Sequence, residues 1–117
     1  MDICEKVSIN VNKALITLTR FFCRDQNGDY YLYEEYSDLA SDLVLLLDLF
    51  DEMINTVTLN TIHHFYMNCI RCIVLLDRIK NKFTKEEVNY MKHLMELSMK
   101  QIEQRAYYIT LQDLKVI

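Results

Sequence analysis

The sequence predicts an all-α fold, a four-helix up-and-down bundle, on three observations. Gly28 is the only glycine among the 117 residues and proline is absent. Sandwiches and barrels turn tightly many times and depend on those two residues to do so, so this chain is built from few, long elements. Apolar residues recur at helical spacing over four separate stretches. Two of the three connections between them are short, which makes antiparallel packing of chain neighbours the simplest topology. The length admits one domain, residues 1–117, large enough to bury roughly two thirds of its unfolded surface.

The first helix is carried by Ile3, Val7, Val11, Ala14, Leu18 and Phe22, one apolar stripe of about five turns. It stops at the polar stretch Arg24-Asp25-Gln26-Asn27-Gly28-Asp29, where Asn-Gly is the strongest turn signal in the chain. Tyr30 to Tyr36 favours strand by composition, yet a lone short strand would lack a partner. The segment therefore reads as an irregular lead-in or an extra helical turn. Ser37 is then the N-cap of the second helix, with Asp38 near its positive end.

That helix carries Leu39, Leu43, Leu46, Phe50, Met53 and Val57. Val44, Leu45, Leu47, Leu49 and Ile54 widen the stripe, which places the helix centrally among several neighbours. Thr58 to Asn60 break the chain, and Asn60 or Thr61 caps the third helix, whose stripe is Ile62, Phe65, Cys69, Cys72, Leu76, Ile79 and Phe83. Thr84-Lys85-Glu86-Glu87 is a capping box. The fourth helix follows with Val88, Met91, Met95, Ser98, Ile102 and Arg105 or Ala106 inward. Thr110-Leu111-Gln112-Asp113 reads as a second cap, opening a short C-terminal helical turn through Ile117. The long connection between the first two helices marks a functional or mobile segment.

Net charge is −4, unevenly placed. Nine carboxylates lie between Asp25 and Glu52 without one lysine or arginine. Residues 1–58 balance to −7 and residues 59–117 to +3, so the halves attract, and two copies packed head to tail would also attract. No dense basic stripe exists, so no direct nucleic acid binding is expected. The longest apolar run, Leu43 to Leu47, is far short of the ~20 residues of a membrane span, so no membrane association is expected. The opening Asp2, Cys4 and Glu5 do not form a signal peptide; the expected compartment is the cytoplasm, or the host cytosol for a viral protein. The four cysteines are then read as thiols.

Asp25 to Tyr36 resembles the calcium loop of EF-hand proteins, with Asp25, Asn27 and Asp29 at the first three ligand positions and Leu32 at the apolar eighth. Tyr30 stands where the loop requires glycine and Tyr36 where it requires glutamate, with Glu35 one residue early. Cys69-x-x-Cys72 after His63-His64 is half of a zinc site, but both cysteines fall on the apolar stripe. His63, His64 and His93 could act as general bases, yet no nucleophile or triad spacing accompanies them. A phosphate-binding glycine loop is excluded by the single glycine. The expectation is a protein that is not an enzyme, with no cofactor and no assigned metal ligand.

What remains is the aromatic and acidic segment. Tyr30, Tyr31, Tyr33, Glu34, Glu35, Tyr36, Asp38 and Asp42 are the candidate partner-binding residues. Tyrosine anchors interfaces, and carboxylates among rings suit arginines of a larger protein with a basic surface. Met91, Leu94, Met95, Leu97 and Met99 add to an apolar surface that four helices would not bury completely. Homodimerisation, or a groove accepting a partner helix, would cover the rest. The functional expectation is a small adaptor, inhibitor or immunity-type module. The abundance of Ile, Asn, Lys and Tyr fits an AT-rich microbial or viral genome. The alternative is a metal-linked helical protein using the Asp25–Asp29 loop or the Cys69/Cys72 pair.

Overall fold

Asp2 starts the first helix: its carboxylate accepts the Glu5 amide at 2.9 Å and satisfies one of the unpaired N–H groups of the first turn. The computed structural model describes the backbone of residues 1–80 and 85–116 and the side chains of residues 1–80 and 85–106. Helix α1 (Ile3–Leu18) tightens into a 3₁₀ turn (Thr19–Phe21) and then extends as strand β1 (Phe22–Arg24). A five-residue loop leads to β2 (Tyr30–Leu32), and a 3₁₀ helix (Glu34–Leu39) precedes α2 (Ala40–Thr56). A second 3₁₀ turn (Leu59–Thr61) joins α2 to α3 (Ile62–Ile79), and α4 (Lys85–Val116) completes the chain.

Side-chain pairs between helices fix their directions. Asp42 pairs with Arg78 and Met53 meets Cys72, so α2 and α3 run antiparallel. Lys92 pairs with Asp77 and Glu103 with Tyr66, which does the same for α3 and α4. Arg20 meets Glu87 and Asn10 meets Ser98, closing α4 antiparallel onto α1. Each helix thus packs on its chain neighbours, and α1 with α4 forms the most extensive contact. The core holds the expected stripe residues of α1 without exception, Leu43, Leu46, Phe50 and Met53 of α2, and Phe65, Cys69, Cys72, Leu76 and Ile79 of α3. Val88, Met91, Leu94 and Met95 of α4 complete it.

Asn10 makes a polar link across this core between α1 and α4. Its amide donates to Ser98 Oγ at 3.0 Å and to Gln101 Oε1 at 3.0 Å, while the Ser98 hydroxyl donates to the Leu94 carbonyl at 3.0 Å.

The expected fold needs four corrections. The short tyrosine strand does have a partner: β1 and β2 pair antiparallel with Phe22 opposite Leu32, Cys23 opposite Tyr31 and Arg24 opposite Tyr30. Ser37 lies inside the 3₁₀ helix, and α2 begins three residues later, at Ala40 behind Leu39, without a side-chain cap. Val44 and Leu45 are exposed, so α2 is not surrounded on all sides. Helix α4 runs unbroken through Thr110 and Asp113, so the separate C-terminal turn does not form. Phe83 and Thr84, with the expected capping box, lie outside the described residues.

With 32 residues, α4 is about 48 Å long and the other helices about half that. Arg105 lies beside the chain start at Met1 to Ile3, so the rest of α4 runs past the end of the bundle. The radius of gyration, 16.2 Å, accordingly exceeds the roughly 13 Å of an equally long compact chain. Among the described residues no helix is long and apolar enough to cross a membrane.

Candidate functional site

The hairpin and the 3₁₀ helix behind it set out the acidic tyrosine-rich segment at one end of the bundle. The turn closes through Asp25, whose carboxylate accepts the amides of Asn27 at 2.8 Å and Asp29 at 2.9 Å. Gly28 donates its amide to the Asp25 carbonyl at 3.1 Å and adopts φ +85°, a left-handed conformation that glycine enters without steric cost. Asn-Gly was therefore a hairpin signal.

Strand alternation separates the tyrosines. Tyr30 has the Arg24 guanidinium 5.3 Å from its ring centre and meets Phe22 edge-on at 6.4 Å. Tyr31, opposite Cys23 in the ladder, is the most open, 53 % exposed. Tyr33 lies beside the Cys23 thiol, and the hydrogen bond between them raises the phenol above its ordinary range. Glu34, Glu35 and Asp38 face solvent, and among the described residues none of them forms an ion pair.

Two of the candidates are tied into the fold. Tyr36 is half-buried, stands edge-on to Phe21 at 5.3 Å, and has its phenol raised by burial first and then by Glu35 and Glu87. Asp42 is half-buried and pairs with Arg78 at 3.5 Å. The structure therefore brings Tyr30, Tyr31, Tyr33, Glu34, Glu35 and Asp38 to the surface and sets Tyr36 and Asp42 against their neighbours.

Sequence reasoning missed the concavities beside this segment. A cavity of about 370 Å³ lies where α1, α2 and β2 meet, lined by Leu15, Ile16, Thr19, Tyr30, Leu47, Asp48 and Asp51. A second, about 340 Å³, continues along the α1–α2 seam at Glu5, Ser8, Ile9, Asn12 and Ile54. The available signal was Ile9 and Ile16, apolar residues seven apart and off the core stripe of α1.

The other chemical candidates have structural surroundings. Among the described residues no three of His, Cys, Asp and Glu converge as metal ligands would. The Asp25 carboxylate holds the turn, as above. His63 and His64 lie with ring centres 4.0 Å apart on the exposed side of α3, away from Cys69 and Cys72. Both cysteines are buried, and Cys72 Sγ lies 3.8 Å from Met53 Sδ.

Burial pushes the Cys72 thiol up to about 12 and raises Cys69 likewise, with the Cys72 charge as its second cause. In the folded protein at pH 8 we expect Cys23 to react readily with iodoacetamide and Cys69 and Cys72 to stay unmodified until urea is added. Mass spectrometry of the labelled chain counts the adducts; rapid native labelling of the pair would remove the core assignment. The same shift has a sign in stability. Thiols ionise near 9 in the unfolded chain and stay protonated in the folded one, so the stabilisation is complete below pH 9 and declines above it.

Compared with protein-family models, with curated proteins and with solved structures, the chain finds no match.

Proposed function

We propose that this protein is a non-catalytic binding module of the adaptor, inhibitor or immunity type, acting in the cytoplasm or host cytosol on a larger protein with a basic surface. The observation that carries the reading is the solvent-facing set on the hairpin and 3₁₀ helix: three exposed tyrosines followed by Glu34, Glu35 and Asp38 without cationic partners among the described residues. Exposed tyrosines supply large contact area with few rotatable bonds, and the carboxylates pair with arginines that also stack on rings. Arg24 over Tyr30 is an internal example of that stacking. Behind this set Tyr36 is held against Phe21, while Asp42 pairs with Arg78. No particular observation favours the metal-linked reading.

The test is to purify the protein from its own cells at low salt, identify the co-purifying chain, and measure its affinity for wild type and for Glu34→Lys/Glu35→Lys. The double reversal is expected to weaken binding about tenfold or more, which corresponds to about 1.4 kcal/mol, with helical content unchanged. Unchanged affinity would take the acidic face out of the mechanism.

A further inference from the structure

The outward side of α3 has the wrong chemistry for a bundle exterior. Met67, Ile70 and Val74 follow His63 at spacings of four, three and four, the repeat of a packed helical seam. Core residues Cys69, Cys72 and Leu76 lie on the opposite side of the same helix, so this stripe points away from the bundle. Met67 and Val74 are each 51 % exposed and Ile70 36 %. The outer face of a bundle helix is ordinarily polar. Arg71 and Arg78 border the stripe; Arg71 has only the Asn68 amide oxygen as partner at 3.2 Å and no carboxylate among the described residues.

The α1–α2 seam has the complementary character. Two concavities follow one another along it, and helical spacing aligns them in one trough: Glu5, Ile9 and Ile16 share a face of α1, and Leu47, Asp48 and Asp51 share a face of α2. The apolar lining is Leu15, Ile16 and Leu47 at one end and Ile9 and Ile54 at the other, with Ser8 and Asn12 between them. The rim carries Glu5, Asp48 and Asp51, none of which has a cationic partner among the described residues. Helix α2 contains no lysine, arginine or histidine at all. From Glu5 to Thr19 the trough is about 21 Å long, and the α3 stripe from His63 to Val74 about 16 Å, so the stripe fits within it.

We propose that the chain assembles with itself head to tail, the outer stripe of α3 in one copy seating in the α1–α2 trough of the next. Apolar side chains meet the apolar lining of the trough, and Arg71 comes to face Asp48, Asp51 and Glu5 while Arg78 keeps its pairing with Asp42. This is the helix-in-groove mode of recognition, with anchors at positions one, five, eight and twelve of the docking helix. The two surfaces are different regions of the molecule, so the contact is heterologous: each added copy leaves one stripe and one trough free, and assembly continues until a ring closes. The proposal does not rest on the binding-module reading. Glu34 and Glu35 lie outside the trough, and their reversal leaves self-assembly unchanged.

The decisive experiment is complementation between two blocked copies. Val74→Glu disables the stripe and Ile16→Glu disables the trough; both positions are exposed, so circular dichroism should show wild-type helicity. Should either variant lose helicity, Met67→Glu or Ile9→Glu replaces it. Native mass spectrometry and sedimentation at low salt then report copy number across a concentration series. Wild type is expected to grow beyond two copies as concentration rises, and each variant to remain single. An equimolar mixture is expected to form a dimer of one copy of each variant and to stop there. A wild-type protein that stays single at millimolar concentration, its trough being left to a foreign helix, would overturn the proposal. So would a wild type that halts at two copies with no pairing in the mixture, the mark of a symmetric contact.

Discussion

Phe50→Ala is expected to lower stability by about 3–5 kcal/mol, the cost of truncating a buried aromatic ring and leaving a cavity behind it. Phe50 is among the largest of the fully buried side chains, with no exposed surface, on the core side of α2 between Leu46 and Met53. Domains of this size are stable by only about 5–15 kcal/mol, so the variant melts roughly 10–20 °C lower or fails to fold at physiological temperature. Val44→Ala is the matched control on the same helix: Val44 is 45 % exposed, and its truncation is expected to change stability by no more than about 0.5 kcal/mol. Urea unfolding followed by circular dichroism measures both. Equal effects at the two positions would mean that α2 packs with another face inward.

Asn10→Ala should cost about 1–3 kcal/mol, more than its loss of packing alone explains. The Asn10 amide is the donor for both Ser98 Oγ and Gln101 Oε1, each at 3.0 Å across the α1–α4 interface. Removing it leaves the Ser98 oxygen without that donor in a fully buried place, although the hydroxyl still donates to Leu94. Replacing both partners, as in Asn10→Leu with Ser98→Ala, removes the unmet group together with its complement and should recover most of the loss. The two substitutions are therefore expected to be strongly non-additive. If the double variant shows the simple total of the two single losses, the link is not acting as a unit. The interaction also holds α1 in register against α4, since a shift of one residue along either helix would separate the three groups.

The helices were legible in the sequence because burial in a bundle repeats every three or four residues. Ile3, Val7, Val11, Ala14 and Leu18 were identifiable from spacing alone, and each is buried. The same regularity concealed the hairpin. Phe22 continues the apolar spacing from Leu18, so it reads as another helical turn, yet its side chain reaches the core from an extended backbone. A residue can be buried at helical spacing without being helical. Tyrosine composition favoured strand at residues 30–32, but the pairing partner was hidden inside what looked like the end of α1. Ser37 was misplaced as a cap because the chain enters α2 through a 3₁₀ helix, Glu34–Leu39, a local tightening that cap rules do not distinguish from the first α turn.

The candidate site was legible in composition and not in geometry. Its acids and tyrosines are consecutive, so they were identifiable together. That Tyr36 would turn toward Phe21 and Asp42 toward Arg78 depends on which elements become neighbours, as does the meeting of Ile16 with Leu47 and Asp48. Asn10 gave no signal either. A lone asparagine beside an apolar stripe looks like a solvent-facing residue until α4 supplies its partners.

The alternation of helix directions has an electrical consequence. Peptide dipoles of neighbouring helices point oppositely and largely cancel, so the far field of the molecule is governed by its side-chain charges. Helix α2 carries Asp42, Asp48, Asp51 and Glu52 with no cation, whereas α1 sets Glu5 against Lys6 and Lys13, and α3 sets Asp77 against Arg71 and Arg78. Counter-ions at physiological ionic strength screen a charge over about 8 Å, less than half the smallest dimension of the molecule, 19 Å. In dilute buffer an approaching molecule meets the net −4 of the whole chain. At physiological ionic strength it meets only the side it faces, so the protein is strongly anionic when approached from α2 and nearly uncharged when approached from the other helices.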